Sequence, residues 1–150
     1  MNGLLIRAMA PEDVPELVRG EARVEESPWS RQDFLDCFGE GYVALVGEVA
    51  GEIVSWGVLR TVLDEAELHI IGVMPEWQRR GIGEATCAAL LDKMREAGAT
   101  RCFLEVRESN LRAQRLYRKL GFTVVGLRKD YYRSGAQREN AVIMRYERNE

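Results

Sequence analysis

Gln78-Arg79-Arg80-Gly81-Ile82-Gly83 sets two glycines two positions apart, after an apolar run and at the start of a helical pattern. Residues of this kind in this order can hold phosphate. The first N–H groups of a helix have no intrahelical partner and sit at the positive end of the helix dipole. Glycine lets backbone approach an anion, because no Cβ intervenes. An anionic cofactor docked at this turn is the first expectation. A P-loop would need Lys and then Ser or Thr after its last glycine, but Glu84 and Ala85 stand there. A dinucleotide fingerprint would need Gly or Ala at the position of Thr86.

Other chemistries find little material. His69 is the one histidine, so a multi-histidine metal centre is excluded and no metal is expected. A Ser–His or Cys–His triad would have to use it from mid-strand; a ring satisfied locally in a strand is the plainer reading. Cys37, Cys87 and Cys102 are odd in number and lack Cys-x-x-Cys spacing, which argues against disulfides or a thiolate zinc site. The net charge of −3 opposes a nucleic-acid binder, and Arg107, Arg112, Arg115 and Arg118 read as a solvated helix face or an acidic-partner surface. With 46% hydrophobic and 30% charged residues, the 150-residue chain reads as one globular domain, 1–150. No signal-peptide pattern or membrane-length apolar run stands out, so a cytoplasmic protein free of membrane is expected.

The elements needed to position the turn follow in order. Ile6–Met9 reads as a strand, and Ala10-Pro11-Glu12-Asp13 as a helix start, with Val14, Leu17 and Val18 as its apolar stripe. Ser30 and Asp33 resemble a capping pair for a helix over Arg31–Phe38 that turns Phe34, Leu35 and Phe38 to one face. Tyr42–Val49 and Ile53–Val62 form a hairpin at Ala50-Gly51, and Leu68–Val73 is the strand that feeds the turn. A helix over Ile82–Ala97 buries Leu90, Leu91 and Met94 and stops at Gly98; Cys102–Val106, after it, should lie parallel to the feeding strand. A helix over Leu111–Leu120 and antiparallel strands Phe122–Leu127 and Ala141–Tyr146 complete the chain, with Tyr131 to Gly135 as a loop. The fold class is α/β, or α+β: a mixed sheet with helices on both faces.

Gln78, Gly81 and Gly83 also match the (Gln/Arg)-x-x-Gly-x-(Gly/Ala) turn of the GCN5-related N-acetyltransferases, which grips the pyrophosphate of acetyl-CoA. The chain resembles that superfamily over nearly its whole length. Pro28-Trp29-Ser30, Leu104-Glu105-Val106-Arg107, Ser109-Asn110, Leu116-Tyr117, Leu120-Gly121-Phe122 and Asp130-Tyr131-Tyr132 bring it nearest to the RimI-like ribosomal-protein alanine N-acetyltransferases. It departs at Ser27, Ile70 and Arg133, in segments expected to face the acceptor. The resemblance implies a mostly antiparallel sheet whose central parallel pair splays apart, with acetyl-CoA in the gap. Ile71, Gly72 and Val73 would pair with its pantetheine arm, an N–H near Val73 would polarise the thioester, and Arg79, Arg80, Gly81, Ile82, Gly83 and Glu84 would hold the pyrophosphate. Asn110 would bond pantetheine, cap its helix, or do both.

The resemblance further implies Glu105 as general base and Tyr117 as general acid for the departing thiolate. An N-terminal amine suits a mild base. Its pKa near 7.7–8.0 leaves roughly a tenth neutral at pH 7, against well under a thousandth for lysine at about 10.4. Glu105 also reads as a surface carboxylate paired with Arg101 or Arg107, and Tyr117 as a core tyrosine. Trp29, Tyr131 and Tyr132 would line the acceptor groove, Trp29 reading equally as core. The expected acceptor is a protein N-terminus, a ribosomal protein's alanine, met by a monomer or weak homodimer. A small amine such as a polyamine or aminoglycoside as acceptor, or a non-catalytic acyl-CoA-binding module, are the competing readings.

Overall fold

The computed structural model describes residues 3–134 and 137–147. The chain forms β1 (Leu4–Ala8), α1 (Val14–Val24), α2 (Arg31–Leu35), β2 (Tyr42–Val49), β3 (Glu52–Val62), β4 (Glu65–Val73), α3 (Ile82–Glu96), β5 (Arg101–Arg107), α4 (Leu111–Lys119), β6 (Thr123–Ser134) and β7 (Gln137–Glu147). All seven strands share one sheet in the order β1-β2-β3-β4-β5-β7-β6. Every pairing is antiparallel except β4 with β5, as the helix between them requires.

That parallel pair is short. Glu65, Ala66 and Glu67 pair with Arg101, Cys102 and Phe103, and there the pairing stops. The cause lies on the other side of β4. Val58 of β3 faces Ile70, but Leu59 faces Leu68, so His69 is an extra, bulged residue. A bulge bends its strand and increases the local twist. It falls two residues after the last parallel pair, and β4 leaves β5 there while keeping β3 as far as Val73. The splayed centre expected from the resemblance is present.

Each sheet face carries its own core. α3 packs Cys87, Leu90, Leu91 and Met94 against Leu59, Leu68, Cys102, Leu104 and Met144, with α4 alongside. Burying each such side chain contributes about 1.5–3 kcal/mol relative to exposure. On the opposite face α1 and α2 bring Val14, Leu17 and Phe34 onto Val46, Trp56 and Val58. Among the described residues, no helix is long and apolar enough to cross a membrane.

Four local expectations change. The first strand begins at Leu4 and ends at Ala8, not at Met9. The helix from Arg31 is α-helical only to Leu35 and tightens to a 3-10 turn over Asp36–Phe38, so Cys37 takes the buried place beneath Phe34 and Phe38 is 39% exposed. Tyr131 to Ser134 belong to β6, not to a loop; Gly135 lies outside the described residues. His69 is held by ring edges of Trp29 and Tyr42, and its Nε2 lies 3.2 Å from a Glu67 oxygen without forming a hydrogen bond.

Candidate active site

Where β4 leaves β5, a cleft of about 510 Å3 opens and runs to the turn before α3. Ile71 to Val73 line it from β4, Arg79 and Gly81 to Glu84 from the turn, and Asn110 from α4. Arg80 does not; its guanidinium lies over the Trp77 ring, 4.9 Å from the centroid. Gly81 occupies the N-cap of α3 at φ 79°, a left-handed conformation that glycine adopts without Cβ strain, and no side chain caps the helix. The first N–H groups of α3 are thus presented at the cleft wall as anion donors.

Gln78 ties the three walls together. Its Nε2 donates to the Val73 carbonyl at 3.1 Å and its Oε1 accepts from Arg112 at 2.9 Å. β4 can lie flat against Trp56 only because residue 72 is glycine, since a Cβ there would stand 2.2 Å from the indole. Asn110 caps α4, its Oδ1 accepting from the Ala113 N–H at 3.1 Å. Arg112 and Lys119 add positive charge to the α4 wall. The sequence placed Arg112 on solvated helix surface and did not mark Lys119, although Arg112, Leu116 and Lys119 recur at i, i+4 and i+7 on one helix face, and that periodicity was a usable signal. Arg107 is a β5 residue and no part of a solvated helix face. It pairs with Glu26 at 3.4 Å and Glu139 at 3.3 Å and lies over Tyr132.

Glu105 and Tyr117 are not themselves in the cleft wall. Glu105 sits on β5, and its Oε2 accepts from Arg128 at 2.9 Å, so its partner is neither Arg101 nor Arg107. Arg128 in turn lies over the Tyr131 ring. The Tyr132 hydroxyl donates to the Glu105 carbonyl at 3.1 Å, which locks β6 to β5 beside the carboxylate. Burial, with Glu105 nearby, pushes the Tyr132 phenol up to about 12.

Tyr117 packs on the core beside Phe122, one residue after cleft-lining Leu116. Burial raises its pKa well above the ordinary phenol value, and proximity to Cys87, Glu25 and Tyr132 adds to the rise. A phenol in that state keeps its proton until a strong base forms beside it.

Trp29 is partly buried. Its ring meets Phe34 and His69 edge-on, and its backbone N–H donates to a Glu21 carboxylate oxygen at 3.3 Å. Glu21 is itself buried and accepts from the Trp56 indole at 2.9 Å, which anchors the segment after α1 to the sheet. Glu25, just beyond α1, lines the cleft, and no sequence motif marked it.

A family model described as "Acetyltransferase (GNAT) family" matches residues 9–122. A [ribosomal protein bS18]-alanine N-acetyltransferase of Escherichia coli K12 is 36% identical over 139 residues, covering 93% of this chain and 94% of that protein. The crystal structure of the ribosomal-protein-S18-alanine N-acetyltransferase from Escherichia coli superposes with a TM-score of 0.92 at 34% identity, covering 98% of this chain and 95% of the other. Arabidopsis thaliana NAA60, solved with acetyl-CoA, shares the fold at 17% identity with a TM-score of 0.87, over 96% of this chain and 98% of that one.

Proposed function

The chain belongs to the GNAT acetyltransferase family, and from that premise we propose that it transfers the acetyl group of acetyl-CoA to a protein N-terminal α-amine, the alanine of ribosomal protein bS18. The observation that carries the cofactor half is the continuity of the β4–β5 opening with the uncapped N-terminus of α3. An extended chain ending in a pyrophosphate fits that sequence of surfaces. Ile71 to Val73 would pair with its amides, the N–H groups after Gly81 would take the pyrophosphate, and Arg79 and Arg112 would add charge. The acceptor half rests on the full-length likeness to the bacterial enzymes.

In this reading the amine nitrogen attacks the thioester carbonyl, polarised by an N–H near Val73. Glu105 takes the amine proton, directly or through one water. Arg128 engages Oε2, so Oε1 is the atom assigned that role. The C–S bond breaks as the tetrahedral adduct collapses, and Tyr117 protonates the departing thiolate. Trp29, Tyr131 and Tyr132 border the path of the peptide. The reaction needs no metal and runs in the cytoplasm on one protein domain.

The test is transfer from acetyl-CoA to peptides beginning with Ala, Ser or Met, read by mass spectrometry. A single acetyl on the α-amine of the Ala peptide is the expected product. Exclusive lysine modification, or turnover only on small amines, would overturn the assignment.

A further inference from the structure

The acceptor arrives as a cation, because an α-amine is mostly protonated at neutral pH. Something must hold that charge before the proton leaves. Two carboxylates stand in the cleft wall, Glu25 and Glu84. Glu84 is committed to Lys119 at 3.1 Å. Glu25 makes no ion pair within 4 Å among the described residues.

Its place is fixed from both sides. The Glu25 N–H donates to the Glu21 carbonyl as the chain leaves α1 in an extended conformation. Behind it, Glu21 is buried and bonded to Trp56 and Trp29; ahead of it, Glu26 reaches Arg107 on β5 at 3.4 Å. Residue 25 is therefore held at the cleft wall between two anchored points of the chain. The charged and titratable groups that act on it or are acted on by it come from four elements: Glu21 of α1, Arg107 of β5, Tyr117 of α4 and Tyr132 of β6. It is the residue that shares surroundings with both the tyrosine assigned to the thiolate and the tyrosine bonded beside Glu105.

We infer that Glu25 captures the acceptor's α-ammonium at the mouth of the cleft and aims the nitrogen at the thioester, so that it is a substrate-binding carboxylate distinct from the base Glu105. The inference rests on the proposed N-terminal acetyltransfer. Partial desolvation at the cleft wall, and then Glu21, raise the Glu25 pKa, with Arg107 opposing, while the residue keeps an exposed face through which a ligand can reach it. An ammonium supplies counter-charge. Glu105 takes one ammonium proton and passes it to solvent, freeing the lone pair for attack; the adduct's nitrogen then gives its second proton to Glu105, and Glu25 gains and loses none.

The experiment compares wild type, Glu25→Gln and Glu105→Gln with an alanine-starting peptide at saturating acetyl-CoA. A peptide whose first residue lacks its amino group serves as a competitive inhibitor. Glu25→Gln should raise the peptide KM about tenfold with kcat, melting temperature and acetyl-CoA affinity within twofold or unchanged, and should leave the desamino inhibitor's Ki unmoved. Glu105→Gln should instead lower kcat. An unmoved peptide KM in Glu25→Gln, an equal loss for the desamino peptide, or weakened acetyl-CoA binding in its place would overturn the inference alone. A wild-type protein that acetylates no peptide N-terminus would overturn the proposed function and this inference together.

Discussion

Tyr117 and Glu105 would divide the proton work of the proposed transfer by their surroundings. In the proposed mechanism the partly buried phenol, its pKa raised, would act as acid, and the partly exposed carboxylate, held by one guanidinium, would keep one oxygen as base. Tyr117→Phe should lower kcat by about 10²-fold or more while acetyl-CoA affinity stays within twofold, measured by steady-state kinetics and calorimetry. Unchanged turnover at saturation would remove Tyr117 from the mechanism. Glu105→Gln should displace the rising limb of the pH–rate profile to alkaline pH, because only the already neutral fraction of amine then reacts. An unshifted profile would show that another group takes the proton. The helix start that Asn110 caps was legible in the sequence, whereas Tyr117 was singled out by the resemblance. Glu25 and Arg128 were not legible: one follows a helix end and the other sits in a long strand, and each gains its meaning from a neighbour tens of residues away, such as Glu105 for Arg128.

At the level of elements, β4, the turn and α3 form one device, and its tolerances are set by small residues. Gly72→Ala would drive a Cβ into the Trp56 indole. A cost of about 1–3 kcal/mol is expected from such overpacking, visible as a lowered denaturant midpoint at constant m. No change in midpoint would mean that β4 can lift from β3 freely. The α3 stripe of Leu90, Leu91 and Met94 was readable because fifteen residues of regular helix preserve the 3.6 period. α2 was misread at its end because a 3-10 turn breaks that period after five residues, exchanging Cys37 for Phe38. The β6–β7 hairpin was read too short for a different reason. Arg128-Lys129-Asp130 interrupts any apolar alternation, and a register shift with Asp130 at φ 54° carries the strand on to Tyr132.

For the molecule as a whole, two equilibria follow. Acetyl-CoA, seated as proposed across β4, the turn and α4, should at a hundredfold its Kd stabilise the fold by about 2.7 kcal/mol. That corresponds to a rise in Tm of roughly 5–11 °C, readable by thermal shift, and no rise at saturation would count against the cleft. Acid stability depends on the first strand. Asp13 accepts from Arg7 at 2.9 and 3.0 Å and from the Ala10 N–H, and these bonds, Arg7 first, hold its carboxyl below the usual range. Its folded pKa lies under the unfolded value of about 3.9, so its contribution is complete above that pH and is lost as pH falls through the folded value. Asp13→Asn should flatten the decline of Tm below pH 4; an unaltered acid limb would remove the pair from the account. The mixed sheet with one parallel pair was legible because a helix between two strands dictates the crossover. The place where that pair opens was not, since His69 looks like any other member of an apolar run. Yet His69 decides what sort of object the sheet is. Without that one surplus residue, the strand would continue in step with its neighbours and the middle of the sheet would close. Deleting that residue's single codon should therefore close the slot that the proposed cofactor requires.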